Sequence, residues 1–226
     1  MLNSFVTERF VLNLQGVQIH ALRFAREHYC PALFVEAQLP LPQSVERSVA
    51  KRQAEFLAGR LAARSALAGL SIDQPVDIGE SRAPLWPAGA QGSISHSAEL
   101  ALCVVRPAQG GGLGVDLESL LEAALAEQLW PGIVTAQEAQ LLRQSGNFAQ
   151  QLTLVFSAKE SLFKALYPQV GRYFDFLDAE VLALQPQQQQ LQLVLRQSLS
   201  PALPAGSCFT LHWLPLGNQL LTLLAG

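Results

Sequence analysis

The apolar residues of this chain recur with two different periods, and this constrains the fold more than any other sequence feature. Between Ser44 and Leu70 they stand three or four positions apart, which predicts a long helix with one buried stripe. The stripe consists of Ala54, Leu57, Ala58, Leu61 and Ala62. From Leu113 to Glu118 apolar and polar residues alternate, which is typical of a strand. The two patterns together predict an α+β fold.

Further apolar runs predict short strands on both sides of a glycine-rich loop at 107–112. These strands are 17–22, 32–37, 92–95, 100–105, 180–185, 191–196, 209–216 and 220–224. A run of glutamines separates 180–185 from 191–196, and Gly217-Asn218 separates 209–216 from 220–224. Each of these two pairs is predicted to form a hairpin. We expect two lobes, residues 1–109 and 110–226, each with a helix packed against a small, mainly antiparallel sheet.

Local signals set the predicted ends of the remaining helices. The segments 119–122 and 135–138 are capping-box patterns, each of which would open a short helix. A further helical region, 148–167, is expected to stop before Pro168. Residues 75–91 contain the breakers Pro84, Pro87 and Gly89, and we predict an irregular segment there.

Composition narrows the class of protein. Half of the 226 residues are hydrophobic, yet no run approaches the roughly 18 apolar residues of a membrane span, and the N-terminus does not resemble a signal peptide. Three single cysteines indicate neither a disulfide framework nor a thiolate zinc site. The net charge of −3 gives no indication of a nucleic-acid surface. We therefore expect a cytoplasmic protein without membrane or nucleic-acid partners.

Two carboxylates mark the strand at 113–118. Asp116 and Glu118 share one face, because neighbouring side chains of a strand point to opposite sides. Like charges this close repel each other unless a cation lies between them, and Mg²⁺ favours such oxygen ligands together with substrate phosphate. The alternative is an acidic strand end in solvent, with Glu118 close to the N-terminus of a helix.

The helical segment 156–164 contains two of the three lysines of the chain. Glu160 and Lys164 are four residues apart and share a helix face, whereas Lys159 is directed about 140° away from Lys164. The pair Glu160 and Lys164 could be an ordinary exposed ion pair. Beside a strand with two carboxylates, it is also an arrangement that suits phosphoryl transfer, with the lysine neutralising charge on the phosphate.

These two segments resemble the paired signature of the 4′-phosphopantetheinyl transferases, with the spacing of the surfactin-type branch. Upstream, the segments 51–60, 82–87 and 92–97 resemble the enterobactin synthetase component D group of that branch. The matching blocks follow the family's order and cover about half of the chain, from Lys51 to Pro168. The resemblance implies a monomer of two pseudo-symmetric lobes that binds coenzyme A and Mg²⁺ in a cleft.

The resemblance also implies roles for single residues. Asp116, Glu118 and Glu160 would be the metal ligands. Glu160, or a water that it orients, would take the proton from a serine of an apo acyl or peptidyl carrier protein. Lys164 would stabilise charge as 3′,5′-ADP leaves. We place Asp116 and Lys164 against the donor as well, and expect Lys159 either to hold phosphate or to fix the helix.

The donor itself carries several phosphates, so an acidic protein needs a local basic pocket to bind it. Arg52 and Arg60 lie in one row of the long helix, and the family's donor contacts fall on both. Arg82 stands in a loop stiffened by Pro84, which in the family lies against the adenine and the 3′-phosphate. Three further residues complete the expected donor site: Trp86, Ser95 and His96.

Two other functions are compatible with parts of this pattern. Another Mg²⁺-dependent phosphoryl-transfer enzyme would use a nucleotide, but no GxxxxGK[ST] loop is present. A non-catalytic coenzyme A-binding protein would be expected to lose one of the carboxylates or Lys164, and all are present. The sequence leaves open which carrier protein and pathway are served (fatty acid, polyketide or siderophore) and whether acyl-coenzyme A is accepted.

Overall fold

The computed structural model describes residues 1–79, 82–108 and 110–226. Glu80, Ser81 and Gln109 lie outside the described residues; they fall in the predicted segments 75–91 and 107–112, and Gln109 ends the expected N-terminal lobe. The chain divides into two compact units, Met1–Gly110 and Gly111–Gly226. Among the described residues, no helix combines the length and the apolar character needed to cross a membrane.

The first unit is built on a four-stranded antiparallel sheet and one long helix. Its helices are α1 (Leu2–Phe5), α2 (Ala32–Glu36), α3 (Gln43–Glu46) and α4 (Ala50–Ala68). Its strands are β1 (Val6–Leu14), β2 (Val17–Phe24), β3 (Asp77–Ile78), β4 (Pro84–Leu85), β5 (Ala90–Ser97) and β6 (Leu100–Pro107). The sheet has the order β1-β2-β6-β5, and β3 pairs with β4 separately. The predicted apolar stripe of α4 is buried throughout in the core of this unit.

A close approach between α4 and the sheet shapes this core. A β-carbon on Gly59 would lie 3.0 Å from the Cγ2 of Ile94 on β5, so the absence of a side chain lets the helix pack directly on the strand. The hairpin of β5 and β6 pairs Ser97 with Leu100, and Ala98 in the turn between them takes a positive φ of 51°.

The second unit packs a longer helix on a five-stranded antiparallel sheet. Its strands are β7 (Leu113–Ser119), β8 (Ala179–Gln185), β9 (Gln190–Leu195), β10 (Cys208–Leu216) and β11 (Gln219–Ala225). Its helices are α5 (Ala123–Leu129), α6 (Ala136–Gln144) and α7 (Phe148–Val170). The sheet order is β7-β11-β10-β9-β8, so the last strand of the chain lies beside the acidic strand.

Helix α7 approaches β7 most closely at Gly114. A β-carbon there would overlap the carbonyl oxygen of Ser161, one of the backbone groups of the helix. The face of β7 that carries Gly114 and Asp116 therefore lies against α7, while Val115 and Leu117 are fully buried on the opposite face.

Most of the predicted architecture is confirmed. The fold is mixed α and β with antiparallel sheets, and each of the two predicted C-terminal hairpins is present, as β8–β9 and β10–β11. Thr135 caps α6 in a complete capping box, in which its hydroxyl accepts from the Glu138 N–H and the Glu138 carboxylate accepts from the Thr135 N–H.

Several local predictions were wrong. The segment 32–37 forms the helix α2 rather than a strand, because Pro31 already has helical dihedral angles at its start. The helix predicted from Ser44 to Leu70 is interrupted between α3 and α4, where Val49 is extended. Ser119 does not open a helix: it remains in β7, paired with Gln219, and α5 begins later, at Ala123.

The predicted end of the helix before Pro168 was also wrong. Helix α7 continues through Pro168 to Val170 and ends at Gly171, which takes a left-handed φ of 67° and donates its N–H to the Tyr167 carbonyl. The segment 75–91 is not wholly irregular either, since Ile78 pairs with Pro84 in the short β3–β4 ladder.

We predict that Gly114→Ala lowers the free energy of unfolding by about 1–3 kcal/mol, because the added methyl group must push α7 away from β7. Gly132→Ala is the matched control, since a β-carbon at Gly132 meets nothing within 4 Å. Urea unfolding of both variants measures the difference. Equal stability of the two variants would contradict the close approach of helix and strand.

Candidate active site

Asp116 is the centre of a charged cluster between β7 and α7. Its side chain is buried, with 3% of the residue exposed. The ammonium of Lys164 lies 2.6 Å from its Oδ1 and also donates to the Val115 carbonyl at 3.2 Å. The hydroxyl of Ser157 donates to its Oδ2 at 2.8 Å. The predicted opposition of the acidic strand and the lysine helix is therefore present, and both oxygens of Asp116 are engaged from α7.

The surroundings of the other two carboxylates of the cluster disfavour their charged forms. The pKa of Glu118 is raised to about 7, chiefly by burial and then by repulsion from Asp116, while Lys164 opposes the shift. Burial likewise raises the pKa of Glu160, Lys164 opposes this, and Asp116 adds to it. Each shift includes repulsion from Asp116, which indicates that the three carboxylates act on one another as a group.

This donor set suits a divalent cation in its chemistry. One lysine partly compensates three carboxylates, and a hard cation between them would remove the remaining repulsion. Within the described part of the chain, no group of three or more His, Cys, Asp or Glu side chains is placed so that it could hold a metal ion by itself. The ammonium of Lys164 occupies the position of a cation on Asp116, so the cluster fits a metal that takes only some ligands from the protein and the rest from phosphate and water.

Lys159 has a different environment from its neighbour Glu160. Its ammonium is buried and donates to the Ile133 carbonyl at 2.8 Å and to Oε1 of Glu138 at 3.2 Å. The same Oε1 accepts from the N–H of Val181. Burial lowers the pKa of Lys159, and Glu138 opposes this shift.

The predicted contact between Lys159 and donor phosphate is therefore not supported by its position. Its ammonium donates two hydrogen bonds within a buried ion pair that joins α7 to α6 and β8. The alternative that the sequence left open, that Lys159 fixes the helix, agrees with these contacts.

A pocket of about 290 Å³ adjoins Glu160 in the same unit. Its walls are mainly apolar and aromatic, with Glu160 and Lys159 among the lining residues. The aromatic residues are Phe163, Tyr173, Phe174 and Phe176. Phe163 contacts Tyr173 and Phe174 with ring centroids 5.5 and 5.1 Å apart, so these rings form one packed wall. The sequence analysis missed this pocket.

In the first unit, most of the predicted donor residues line a second pocket, of about 130 Å³. Arg52 and Arg60 reach it from α4, Arg82 and Pro84 from the β3–β4 hairpin, and His96 from β5. Glu55, Phe56, Gly59, Ile78 and Ile94 complete the lining. Three arginines in one small pocket of an acidic protein make a local site for an anion.

Arg60 carries the clearest sign of a missing partner. Its guanidinium stacks on the ring of Phe56, 4.4 Å from the centroid, and donates to the Asp77 carbonyl at 3.1 Å. Its Nε is buried, and no hydrogen-bond partner for it is found among the described residues. The pKa of Arg60 is lowered to about 10, chiefly by burial and in smaller part by Arg52, while Cys103 and Asp77 act in the opposite direction. A bound anion would give the buried Nε a hydrogen-bond acceptor and would offset the cost of burying the guanidinium charge.

His96 is oriented by its neighbours on α4. An N–H of Arg52 points at its Nε2, 2.8 Å away, so in the neutral ring Nε2 accepts and Nδ1 carries the proton. Oε2 of Glu55 lies 3.8 Å from that Nδ1. The carboxylate of Glu55 thus holds the ring from the side opposite Arg52.

Two predicted donor residues lie elsewhere. Ser95 is buried on the face of β5 opposite to that of His96, as the strand period requires. Trp86 fills the space above Gly92, where a β-carbon would meet its ring, and it packs against the core of its unit. The structure does not bring either side chain into the arginine pocket.

Comparison with known proteins follows the same division of the chain. Residues 41–106 match the family model of the 4′-phosphopantetheinyl transferase N-terminal domain, and residues 112–206 match that of the 4′-phosphopantetheinyl transferase superfamily. The chain is 34% identical over 223 residues to enterobactin synthase component D of Salmonella typhi, an alignment that spans 97% of this chain and 91% of that protein.

The chain belongs to the 4′-phosphopantetheinyl transferase superfamily. It is 39% identical over 173 residues to enterobactin synthase component D of Escherichia coli O157:H7, which covers 75% of this chain and 81% of that protein. It is 33% identical over 140 residues to 4′-phosphopantetheinyl transferase Npt of Nocardia iowensis, 61% and 62% of the two chains. The resemblance seen in the sequence is confirmed, and with it the prediction that the chain is an enzyme of this class.

The buried ion pair generates a prediction about stability. Lys159→Ala would leave Glu138 charged and buried, which typically costs about 3–5 kcal/mol of unfolding free energy. Arg196→Ala removes one partner of the exposed pair with Glu180, 3.0 Å long, and should cost at most about 1 kcal/mol. Denaturant unfolding distinguishes them. If Lys159→Ala were as stable as the wild type and had only a higher KM for coenzyme A, its predicted phosphate role would be restored.

Proposed function

We propose that this phosphopantetheinyl transferase moves the 4′-phosphopantetheine arm of coenzyme A to a serine of an apo carrier protein, with Mg²⁺ as cofactor and 3′,5′-ADP as the leaving product. The observation that carries this proposal is the pairing of Lys164 with the buried Asp116, beside two further carboxylates whose pKa values are raised. Such a site can neutralise a diphosphate and accept a proton in one place.

In the reaction, the serine oxygen attacks the phosphorus that carries the pantetheine arm, and the bond from that phosphorus to the oxygen of 3′,5′-ADP breaks. The serine proton goes to Glu160 or to a water that it orients; a carboxylate with a raised pKa is suited to accept it. Lys164 would stabilise the negative charge on the departing phosphate. Asp116, Glu118 and Glu160 would hold Mg²⁺, which when bound supplies charge neutralisation on the diphosphate.

The arginine pocket of the first unit is proposed to bind phosphate of the donor. The unpartnered Nε of Arg60 and the guanidinium groups of Arg52 and Arg82 supply the positive charge, and His96 supplies a further polar contact. The apolar side of the pocket, with Phe56 and Ile94, suits an adenine ring rather than a free phosphate.

The aromatic pocket beside Glu160 is proposed to hold the pantetheine arm. The arm is uncharged and flexible, and this pocket offers apolar walls with few polar groups next to the residues assigned to the transfer. The pocket lies in the second unit, so the arm and the residues assigned to the transfer would be in the same unit.

The names of the relatives bear on the identity of the acceptor. The relatives named enterobactin synthase component D suggest a carrier domain of a siderophore synthase.

The two earlier alternatives, another phosphoryl-transfer enzyme and a non-catalytic coenzyme A-binding protein, have no observation in their favour. We also propose that the chain acts as a monomer in the cytoplasm.

The reaction is tested by incubating the protein with an apo carrier protein, coenzyme A and Mg²⁺, followed by intact-protein mass spectrometry. We expect a phosphopantetheine adduct on the carrier serine and the formation of 3′,5′-ADP. The adduct should be absent when EDTA is added and return with excess Mg²⁺. An unmodified carrier under all conditions, tested with peptidyl and acyl carrier proteins, would refute the proposal.

The role of Lys164 is open to kinetic analysis. An interaction made mainly in the transition state lowers kcat when it is removed, so Lys164→Ala should reduce kcat about 100-fold or more with little change in KM. Arg196→Ala, which removes an exposed positive charge from the same unit, should leave both constants unchanged. A variant that affects only the KM for coenzyme A would show that Lys164 binds the donor without assisting the transfer.

The donor pocket predicts a difference between two ligands. Arg60→Ala should weaken binding of coenzyme A much more than that of 3′-dephospho-coenzyme A if Arg60 contacts the 3′-phosphate, and both equally if it contacts the diphosphate. Arg64→Ala is the control, because Arg64 lies one turn further along α4 and donates to the Gln38 carbonyl outside the pocket. Calorimetric titration measures both affinities. Unchanged binding of both ligands would exclude Arg60 from the site.

A further inference from the structure

A series of hydrogen-bonded, buried hydroxyl groups leads to Oδ2 of Asp116, whereas Lys164 binds the other carboxylate oxygen, Oδ1. Thr222 of β11 is the direct cross-strand neighbour of Asp116 on β7, so the two side chains stand next to each other on one face of the sheet. Ser157 and Ser161 are four residues apart on α7 and therefore share one face of that helix. All three hydroxyl residues are buried, at 0–1% exposed.

The contacts among these groups are short and continuous. The Ser157 hydroxyl donates to Oδ2 of Asp116 at 2.8 Å and lies 2.9 Å from the Thr222 hydroxyl. The Ser161 hydroxyl lies 2.7 Å from the Thr222 hydroxyl and donates to the Thr222 carbonyl at 3.0 Å. One strand residue thus connects two helix residues, and one of those is bonded to the central carboxylate.

Counting protons fixes the direction of the chain. A hydroxyl has a single proton to donate, and that of Ser157 is used on the carboxylate of Asp116. The proton between Thr222 and Ser157 must then come from Thr222. Ser161 has one proton, which is shared between the Thr222 carbonyl and the Thr222 hydroxyl. From Thr222 onward the bonds run in one direction, to Ser157 and then to Asp116.

We infer that Thr222, together with Ser157, is a positioning residue for the transfer reaction, and that it acts by holding Oδ2 of Asp116 so that the carboxylate keeps one orientation toward Lys164 and the cation. Hydrogen bonds in such a chain polarise one another toward the carboxylate. The inference rests on the proposed metal role of Asp116. The Thr222 hydroxyl contacts Ser157 and Ser161, so we expect its effect on the Asp116 carboxylate to pass through Ser157.

Direct metal binding tests this without an activity assay. Mn²⁺ is an oxygen-binding stand-in for Mg²⁺, and its affinity for the full chain with saturating coenzyme A can be measured by electron paramagnetic resonance. Groups that orient a metal ligand typically change affinity by about 10–100-fold when removed. We expect Ser157→Ala to weaken Mn²⁺ binding by about 10-fold and Thr222→Val by a smaller factor, clearly above twofold. Thr222→Ser keeps the hydroxyl and should stay within twofold of the wild type.

The decisive comparison is a double-mutant cycle. If Thr222 acts through Ser157, adding Thr222→Val to Ser157→Ala should weaken Mn²⁺ binding no further. A purely structural role would lower the stability of all variants yet leave Mn²⁺ affinity unchanged, and an independent role would give the same loss in both backgrounds; either result overturns the inference. If Thr222→Val does not fold, Thr222→Ala replaces it and is compared with Thr222→Ser.

The same titration separates this inference from the proposed function. If the wild type binds Mn²⁺ and Asp116→Ala abolishes binding, the metal site stands and the Thr222 variants decide on the hydroxyl chain alone. If the wild type binds no Mn²⁺, or if Asp116→Ala binds it equally well, the proposed metal site fails, and the positioning role of Thr222 fails with it.

Discussion

The backbone of α7 lies directly on β7 at Gly114, and the site depends on this contact. With no side chain between helix and strand, Ser157 and Lys164 come within hydrogen-bond distance of the Asp116 carboxylate. A larger residue at Gly114 would push the two elements apart and lengthen the contacts of Ser157 and Lys164 with Asp116. Packing geometry and site geometry are set by the same backbone approach.

The second unit contains two separate groups of charged side chains, one around Lys159 and one around Asp116. The pair of Lys159 and Glu138 is almost fully buried, satisfied by further hydrogen bonds, and joins α7 to its neighbours. One residue further along the helix, Glu160 belongs to a cluster in which one lysine faces three carboxylates and the pKa values of Glu118 and Glu160 are raised. The first arrangement is complete within the protein, whereas the second has an excess of negative charge that suits a cation and a phosphate. Adjacent residues of one helix thus lie in two different electrostatic environments, and only that of Glu160 belongs to the proposed reaction site.

Much of this was accessible from the sequence because period and spacing are local properties. The alternation from Leu113 to Glu118 predicted the acidic strand, and the spacing of Glu160 and Lys164 predicted a shared helix face. The row of Arg52 and Arg60 likewise led to a pocket that the structure contains. What each of these residues does remains a prediction.

The remaining features depend on contacts between distant segments. Lys159 could be given its buried partner only once α6 was placed beside α7, and Thr222 became meaningful only as the cross-strand neighbour of Asp116. Thr222 did leave a signal, since it is the one polar residue in the apolar run from Leu220 to Leu224. The aromatic pocket left a weaker one in the closely spaced Tyr173, Phe174 and Phe176. The helix start predicted at Ser119 was wrong because this residue pairs with Gln219 in the sheet. The helix end predicted before Pro168 was wrong because α7 continues to its C-cap at Gly171.

The central claim is that the charged cluster on β7 and α7 holds a divalent cation together with the donor diphosphate. The most direct measurement is anomalous scattering from crystals of the protein grown with coenzyme A and Mn²⁺. The account predicts a manganese peak about 2.1 Å from an oxygen of Asp116 and from one of Glu118 or Glu160, with diphosphate oxygens completing the shell. A peak bound to other residues, or coenzyme A bound with no metal at these carboxylates, would contradict it.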